Sequence, residues 1–579
     1  MKSGSLIALL LAMVYLSGCH STTSVQKITI TEYKSKMKAA WLGQMAGVGW
    51  GAPTEFHYKG SIIPVKDVPE WKPEMINQQW QDDIYVEMTF LKTLEDYGFD
   101  VSIRQAGIDF ANSRYGLAHA NECGRNNLRR GIAPPCSGHP KYNKHADDID
   151  YQIEADFSGI VSPGMPQLVI ELADKFGRLM NYGDGVYGGQ FVGAMYAQAF
   201  FETDIHKIIE AGLRCIPAES QYAETIRDVI NWHRNYPDNW QKTWQLIENK
   251  YNLNPAYRRF SCPRSVSEGE NIDAKINGAY IVMGLLYGNG NMDSTIVIAM
   301  RCGQDSDCNP SNAAGILATS LGMENLPERY KVGIDDSTNF SYTSYNLPSL
   351  QDVCVMLARK AVLRSGGSIE ENAEGVEEFV IPYKEPVVSP VVQSWEPEEI
   401  TSDVDFTAAE MDKITFKIRR PEDLVNVWQV AGPFSQKGVG GLDLFNVPFG
   451  PETDSNYSEW TKMPVDVDDF DAGCVNLLKL FNTENSVAYL KTNVWIDSAQ
   501  KVILEIGSDD DVKVWINHQL VHQNDQERGL EQGQDLAEAD FKKGWNLILM
   551  KITQGEGEWG ASLSISDLHR KLIDGLTYK

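Results

Sequence analysis

The sequence predicts a multi-domain protein, with an all-α domain followed by an all-β sandwich, and three observations lead to this fold class. Apolar residues recur at helical spacing up to about residue 364. Short segments rich in β-branched and aromatic residues, separated by Gly, Asp and Asn, follow from about residue 414. An acidic, proline-bearing stretch separates the two regions. The length of 579 residues also exceeds the usual size of one domain.

The first residues are typical of an export signal. Lys2 precedes an apolar run, Leu6–Leu16, which is too short to span a bilayer as a helix and is followed by Ser-Gly before Cys19. The tetrapeptide ending in this cysteine resembles a lipobox, so we expect a lipoprotein signal peptide at residues 1–19 with lipidation of Cys19. Residues 20–32 would form a short tether. The alternative is an ordinary signal peptide in which the cysteine is incidental.

The predicted export signal and the net charge together limit the partners of the protein. The signal predicts a cell envelope lipoprotein, periplasmic or surface-exposed and in the outer membrane, which contacts the membrane only through its lipid anchor. The net charge of −27 argues against nucleic acid, because a phosphate backbone needs a basic face.

The region at residues 33–364 is predicted to be an all-α domain. Residues that repeat at helical spacing are Met37, Trp41, Met45 and Val48, followed by Ile84, Met88 and Leu91. The stretch Gln190–Thr203 is small and apolar with few polar side chains, as expected for a helix that is buried on most sides.

Residues 365–413 are predicted to be a linker or loosely packed crossover, because the stretch is acidic, contains Gly and Ser, and then carries four prolines. Residues 414–579 are predicted to form the β-sandwich. The strand-like segments there are Val425–Val430, Val487–Val494, Val502–Ile506, Val512–Ile516 and Leu547–Ile552.

Two acidic segments in the helical region carry the chemistry. Asp82 and Asp83 precede one predicted helix, and Asp305 and Asp307 precede another. Helix capping explains one Asp at each helix start, but it does not explain a pair at both. Carboxylate pairs that converge from two helix starts suit a hard divalent cation such as Mg²⁺, Mn²⁺ or Ca²⁺.

These segments resemble the ADP-ribosylglycohydrolase family, which consists of all-α proteins that bind a pair of Mg²⁺ ions. Gly47–Phe56 is similar to the family's opening G-D-A-L-G-A-P-x-E-F. Gln81–Asp83 is similar to its T-D-D-T, and Gly303–Asp307 to its G-G-D-T-D-[ST]. The resemblance covers roughly residues 33–360.

The resemblance implies the roles of the site residues. The metal ligands would be Gln81, through its carbonyl, together with Asp82, Asp83, Asp305 and Asp307. The catalytic residues would be Glu55, near the scissile bond, and Asp305, acting as general acid or base. The cofactor would be Mg²⁺, as one or two ions, with Mn²⁺ or Ca²⁺ as alternatives.

The sequence also departs from the family pattern. Val48 stands where the family has Asp, and Gln81 and Ile84 replace the threonines that flank the first Asp pair. Cys308 replaces the final Thr or Ser, and its thiol is a soft ligand that suits Mg²⁺ poorly. We therefore expect one metal position to be weakened or lost.

The substrate-binding candidates are Ser158 and Gly159, in a segment that resembles the family's G-N-G-x-x-M-R loop, and Tyr187, Gly188 and Gly189, which offer backbone amides. Helix packing would explain these glycines equally well. The loop-like segment lacks the family's Arg and carries Glu154 and Asp156 instead. Their charges would repel a pyrophosphate unless they point away into solvent. The neighbouring acidic run, residues 145–150, is expected to be a solvated face.

The second domain, at about residues 414–566, resembles the jelly-roll β-sandwich appended to secreted glycoside hydrolases, which implies carbohydrate binding. Trp515, Trp545 and Trp559 are candidates for sugar-stacking platforms, with core placement as the alternative. The Asp509–Asp511 turn could hold Ca²⁺ or be an exposed turn.

Together these observations predict a metal-dependent hydrolase of a glycosidic bond, a glycosidase that acts outside the cytoplasm on a glycan or other extracellular glycoside. One alternative is a hydrolase of ADP-ribosyl-proteins or ADP-ribose derivatives, so the substrate is a carbohydrate or a nucleotide-sugar. A second alternative is a non-catalytic lipoprotein that binds glycans at the surface.

Overall fold

The structure, a computed structural model, describes residues 24–254, 257, 260–261, 271–454, 456–464 and 474–579. The predicted signal peptide and Cys19 lie outside these residues. The helices are α1 (Ile30–Gly51), α2 (Asp82–Tyr97), α3 (Ile103–Ala111), α4 (His119–Arg129), α5 (Asp150–Ile153), α6 (Asp156–Ile160), α7 (Pro166–Phe176), α8 (Asp184–Ala199), α9 (Ile205–Leu213), α10 (Gln221–Asn235), α11 (Trp240–Ile247), α12 (Ala274–Gly288), α13 (Met292–Arg301), α14 (Cys308–Asn325), α15 (Leu347–Arg364), α16 (Ala408–Met411), α17 (Gly450–Thr453) and α18 (Leu477–Phe481).

The strands lie mainly in the C-terminal part of the chain. They are β1 (Val25–Thr29), β2 (Ser368–Glu371), β3 (Glu377–Pro382), β4 (Val427–Phe434), β5 (Thr461–Pro464), β6 (Val475–Asn476), β7 (Ser486–Ile496), β8 (Gln500–Asp509), β9 (Val512–Ile516), β10 (Gln519–Asn524), β11 (Asp535–Phe541), β12 (Gly544–Gln554), β13 (Gly560–Ser566) and β14 (Thr577–Tyr578). The predicted order, a helical domain followed by antiparallel sheets, is confirmed.

The division of the chain into two compact units differs from the predicted boundaries. One unit contains the described residues up to Ser102 together with Lys144–Glu398, and the other contains Ile103–Asn143 together with Glu399–Lys579. Helices α3 and α4, expected in the helical domain, therefore belong to the C-terminal unit. Arg104 on α3 binds the Glu410 carboxylate there, with 2.7 Å from Nε to Oε1. Helical periodicity predicts local conformation and does not report the unit against which a helix packs.

A small sheet completes the helical unit, with strand order β1-β3-β2. Strand β1 falls in the predicted tether, and β2 and β3 fall in the predicted linker, so both segments were assigned too little structure. Ile28 and Phe379 are buried, and the Phe379 ring packs edge-on against Tyr33 of α1 at 5.3 Å between centroids. Strands this short carry little sequence signal, and long-range pairing rather than local pattern holds them in place.

Helices α1 and α14 form the centre of the helical unit. Gly43, Gly47 and Gly51 lie one turn apart along α1. A Cβ atom at Gly47 would lie well under 3.0 Å from the Pro310 carbonyl oxygen, and one at Gly51 would lie as close to the backbone of Ser306. Because real Cβ atoms do not approach so closely, the glycines let the two backbones touch. This contact fixes the start of α14 against the end of α1.

The C-terminal unit contains two sheets that share one core. One sheet has the order β10-β9-β12-β7-β4-β5, with β14 paired to β7, and the other has the order β11-β8-β13-β6. Their inward faces meet in one apolar cluster that includes Leu490, Leu504, Ile548 and Trp559. All five predicted strand segments overlap these strands. Among the described residues, no helix has the length and apolar character needed to cross a membrane.

Candidate active site and metal centre

The first acidic pair opens α2. Gln81 occupies the N-cap position, but its side chain makes no capping hydrogen bond. Asp82 is exposed, whereas the Asp83 side chain is 1% exposed. Asp83 Oδ1 accepts a hydrogen bond from the Cys308 thiol at 3.0 Å, and Asp83 Oδ2 is buried without a hydrogen-bond partner. Because buried carboxylate oxygens are ordinarily satisfied, this oxygen is a candidate ligand for a bound cation.

The second acidic pair lies in the loop before α14. Gly303 and Gln304 both have positive φ, at 81° and 59°, which turns the chain sharply after α13. Backbone hydrogen bonds join this turn to the segment after α1. The Gln304 amide donates to the Tyr58 carbonyl at 3.0 Å, and the Phe56 amide donates to the Gln304 carbonyl at 3.1 Å. The turn is thereby held beside Glu55.

Three potential ligands converge at the start of α14. One side-chain donor atom from each of Asp305, Asp307 and Cys308 lies within 4.8 Å of the other two, and all three residues are buried. Asp307 occupies the N-cap position but makes no side-chain capping hydrogen bond. Helix capping therefore does not account for its carboxylate.

The electrostatics of these carboxyl groups are unfavourable without a cation. Burial, with repulsion from Asp307 and Asp82, raises the pKa of Glu55 to about 8. Burial raises the pKa of Asp305 to about 7 and, with repulsion between neighbours, raises the pKa of Asp83 and of Asp307 well above the usual range. Among the described residues, no Lys, Arg or His is a leading cause of these shifts.

The residues present fit a divalent cation. Asp83 supplies an unpartnered buried oxygen, and the Asp305, Asp307 and Cys308 group supplies donors within reach of one ion. A sequence model of the ADP-ribosylglycohydrolase family matches residues 29–363. The chain belongs to the ADP-ribosylglycohydrolase family. This membership makes the helical unit a glycohydrolase scaffold of a typically metal-dependent kind, whose members act on ADP-ribose or sugar-type substrates.

Several solved structures are similar to parts of this chain. An ADP-ribosylglycohydrolase-related protein complex aligns at 14% identity and a TM-score of 0.37, covering 57% of this chain and 100% of the other. A glycosyl hydrolase family 2 member from Bacteroides cellulosilyticus DSM 14838 aligns at 13% identity and a TM-score of 0.15, covering 24% and 20%. A β-glucosidase from Kluyveromyces marxianus aligns at 13% identity and a TM-score of 0.15, covering 48% of this chain and 38% of the other. No curated protein matches the chain.

The structure places the first pair of substrate-binding candidates inside the helical unit. Ser158 and Gly159 lie in α6 and are fully buried. The Ser158 hydroxyl donates to the Ala155 carbonyl at 2.6 Å, and a Cβ at Gly159 would clash with the Gly193 backbone of α8. Helix packing therefore explains both residues, and their role in a substrate loop stays a prediction.

The second set of candidates is also buried, in the first turns of α8. Gly188 and Gly189 lie against the side chains of Gln152 and Tyr151, where a Cβ would not fit. The Tyr187 hydroxyl accepts a hydrogen bond from the Val392 amide at 2.8 Å. Sequence cannot separate a glycine that lets helices approach from a glycine that offers its amide to a ligand, and here packing accounts for the glycines.

A second layer of buried carboxyl groups, missed in the sequence, lies next to the metal centre. Glu87 is one helical turn beyond Asp83 on α2, and it accepts hydrogen bonds from Gln44 at 2.6 Å and from the Phe157 amide at 2.8 Å. Asp156 accepts from the Tyr196 hydroxyl at 2.6 Å and from Asn312 of α14 at 2.8 Å. The signal that could have found this layer is its spacing, because Glu87 and Asn312 each lie four residues after a residue of the metal centre.

Of the two alternatives for the loop charges, the solvated one is excluded, and the expectation of a solvated face at residues 145–150 is wrong. Glu154 and Asp156 are 1% and 0% exposed, so they do not point into solvent. The acidic run at residues 145–150 is also largely buried. Its Asp147 belongs to a cluster around Lys275, whose Nζ lies 2.8 Å from Asp273 Oδ2 and 3.9 Å from Asp147 Oδ2. Asp147 and Asp273 thus share a buried cationic partner, as buried charges usually do.

Asp156 provides a prediction about pH. Burial raises its pKa to about 8, above that of an unfolded aspartate at about 4. The folded state thus binds this proton more tightly, so its stabilising effect is full below about pH 4 and is lost as the pH rises to about 8. We expect the urea midpoint of the metal-saturated protein to fall from pH 5 to pH 8. The contribution of this group to the free energy of unfolding falls by at most about 1.4 kcal/mol per pH unit.

The Asp156→Asn variant keeps the size of the side chain and removes its titration, so its midpoint should fall less over the same range. Asp96→Asn, at an exposed position near the end of α2, should keep the wild-type slope. Equal slopes for wild type and Asp156→Asn would refute the assignment.

The sandwich residues divide between core and surface. Trp559 is 2% exposed and belongs to the core, so it is not a sugar platform. Trp515 and Trp545 are half-buried, and the Lys579 ammonium lies 3.8 Å from the Trp545 ring centroid. The Asp509–Asp511 segment is buried, which contradicts an exposed turn.

Proposed function

We propose that this member of the ADP-ribosylglycohydrolase family is a metal-dependent hydrolase of a glycosidic bond that acts outside the cytoplasm on a glycan or other extracellular glycoside. The observation that carries the proposal is the convergence of buried carboxyl groups at the starts of α2 and α14, beside Glu55. The lipobox-like sequence ending at Cys19 supports the extracellular location and anchoring by lipid alone.

The metal would be held by Asp82, Asp83, Asp305 and Asp307, with the carbonyl of Gln81 as a further oxygen. When bound, the cation supplies positive charge that polarises sugar hydroxyls and the attacking water. The protein positions these ligands on two helix starts, and the contact between α1 and α14 holds the start of α14 in place.

Glu55 would move a proton at the scissile bond. It is half-buried at the end of the short helix Ala52–Thr54, and burial, the largest cause of its raised carboxyl pKa, favours the protonated form. A protonated carboxyl can donate to the leaving-group oxygen as the anomeric carbon becomes oxocarbenium-like. Asp305 is the second carboxyl, suited to accept the proton of the attacking water.

The Glu55→Gln variant tests this role. We expect kcat to fall about 10²- to 10⁴-fold, because the amide cannot donate an acidic proton, while metal affinity stays within about threefold. The measurements are steady-state kinetics and calorimetric titration of metal. Glu70→Gln, at an exposed position in the same segment, should behave as wild type. A Glu55→Gln enzyme with unchanged kcat would remove Glu55 from the proposed mechanism.

The choice of substrate rests on the predicted export signal and on the C-terminal β-sandwich. Because Glu154 and Asp156 are buried, their charge no longer argues against a pyrophosphate. The sandwich offers a groove of about 480 Å³ whose lining includes Phe434, Tyr457 and Trp460. Aromatic rings suit the apolar faces of sugars, so the groove supports a carbohydrate-binding role for this unit.

The family match favours one second candidate, the hydrolysis of ADP-ribosyl-proteins or ADP-ribose derivatives. A release assay on the purified protein decides between the two. ADP-ribosyl-arginine and ADP-ribosyl-serine peptides are tested beside a panel of plant and host polysaccharides. Release of reducing sugar supports the proposal, and release of ADP-ribose alone supports the second candidate. Sugar binding without any product would instead indicate a non-catalytic glycan-binding lipoprotein.

A further inference from the structure

The thiol of Cys308 is the feature of the metal centre that the proposed mechanism leaves unused. The residue opens α14 and is 6% exposed. Its Sγ lies among the carboxylates on two sides, since it belongs to the same 4.8 Å group as Asp305 and Asp307 and lies 3.0 Å from Asp83 Oδ1. The sulfur is thus surrounded by the groups that would ligate a metal.

An independent observation indicates that a ligand belongs here. Asp83 is 1% exposed, and its Oδ2 is buried without a hydrogen-bond partner. Its other oxygen faces the Cys308 sulfur. A buried carboxylate oxygen with no donor costs free energy unless a cation occupies the space beside it.

The donor set differs in kind from one made of oxygen alone. Mg²⁺ requires near-octahedral oxygen coordination and is poorly served by sulfur. Zn²⁺ accepts thiolate, carboxylate and water together, in four- or five-coordinate geometry. A site that combines one sulfur with Asp oxygens therefore favours Zn²⁺ over Mg²⁺ more strongly than the same site with a hydroxyl at position 308.

We propose that Cys308 is itself a metal ligand and that it directs this site towards Zn²⁺ rather than Mg²⁺. The inference rests on the proposed function only in that the site binds a divalent cation. It concerns which ion is bound and through which atom.

Cobalt provides a spectroscopic test that does not depend on activity. The full-length protein is stripped of metal with a chelator, dialysed, and titrated with Co²⁺, which reports sulfur ligation through a thiolate-to-cobalt charge-transfer band in the near ultraviolet. We expect this band in the wild-type protein. Cys308→Ser and Cys308→Thr should lose the band and keep the weaker visible bands of oxygen-bound Co²⁺. Cys302→Ser is the control, because this buried thiol donates a hydrogen bond to the Ile298 carbonyl, and it should keep the charge-transfer band.

Calorimetric titration with Zn²⁺ and with Mg²⁺ gives the second readout. The ratio of the Zn²⁺ and Mg²⁺ affinities should fall about 100-fold in Cys308→Ser, mainly through weaker Zn²⁺ binding. An unchanged ratio, or Co²⁺ bound to the wild-type protein without a thiolate band, would overturn the inference and leave the proposed function standing. Failure of wild type and Cys308→Ser to bind any of the three ions would overturn both.

The wild-type spectrum keeps the inference falsifiable even where a variant fails to fold. The band is also expected to disappear when Zn²⁺ is added to the Co²⁺-loaded wild type, because both ions compete for one site. A band that persists in excess Zn²⁺ would place the cobalt at another cysteine and would contradict the assignment.

Discussion

Replacing Asp305 with alanine is expected to remove metal binding and hydrolysis together. Asp305 is buried in the donor group at the start of α14, and its carboxylate contributes charge as well as a ligand oxygen. We expect kcat/KM to fall by at least about 10³-fold, since metal stabilisation of the transition state is worth several kcal/mol. The measurements are calorimetric titration of metal and the release assay, each repeated in excess chelator.

The stability of the variant separates loss of metal from loss of fold. Removing one of several repelling buried carboxyls should leave the metal-free protein at least as stable as metal-free wild type. Asp96→Ala, at an exposed position on α2, should retain full metal affinity and activity. Turnover by Asp305→Ala, or by wild type in excess chelator, would refute the metal-dependent mechanism.

The largest effect on stability is expected from Gly47→Ala. A Cβ at this position would lie well under 3.0 Å from the Pro310 carbonyl and from Ser311 Cα, which are backbone atoms that no rotamer change can move away. Helices α1 and α14 would have to separate, at a cost of about 3 kcal/mol or more. The helical circular dichroism signal during urea unfolding measures this as a lower midpoint.

Gly116→Ala provides the control for the added methyl group. No atom lies within 4 Å of a Cβ at Gly116, so the free energy of unfolding of Gly116→Ala should differ from wild type by less than about 0.5 kcal/mol. Gly47→Ala should also weaken metal binding, because α14 carries Cys308 in its first turn. A Gly47→Ala protein with the wild-type midpoint would show that the close approach of the two helices does not occur.

The candidate metal centre could be predicted from the sequence because its proposed ligands form local patterns. Asp82 and Asp83 precede an apolar helix, and Asp305 and Asp307 precede a small-residue helix, so each pair is legible within a few residues. The departure at Cys308 was legible in the same way. The structure adds that the starts of α2 and α14 lie together, where the Cys308 thiol donates a hydrogen bond to Asp83.

Features that depend on long-range packing were not predictable. Glu87 and Asp156 are charged residues in unremarkable local contexts, and only the fold brings them together in the interior. Gly188 and Gly189 carry a signal shared by packing and ligand loops, and only their neighbours decide between the two. The placement of α3 and α4 likewise depends on residues about 300 positions later, such as Glu410.

If the site around the unpartnered oxygen of Asp83 binds a metal ion as proposed, the lifetime of the protein would depend on the availability of that ion. An ion that binds only the folded state stabilises it in proportion to the logarithm of its free concentration, by about 2.7 kcal/mol at one hundred times Kd. When the ion is scarce, repulsion among Asp83, Asp305 and Asp307 favours local opening at the starts of α2 and α14. Proteases would then remove the empty protein faster than the loaded one, so that the abundance of the protein would follow the availability of its metal.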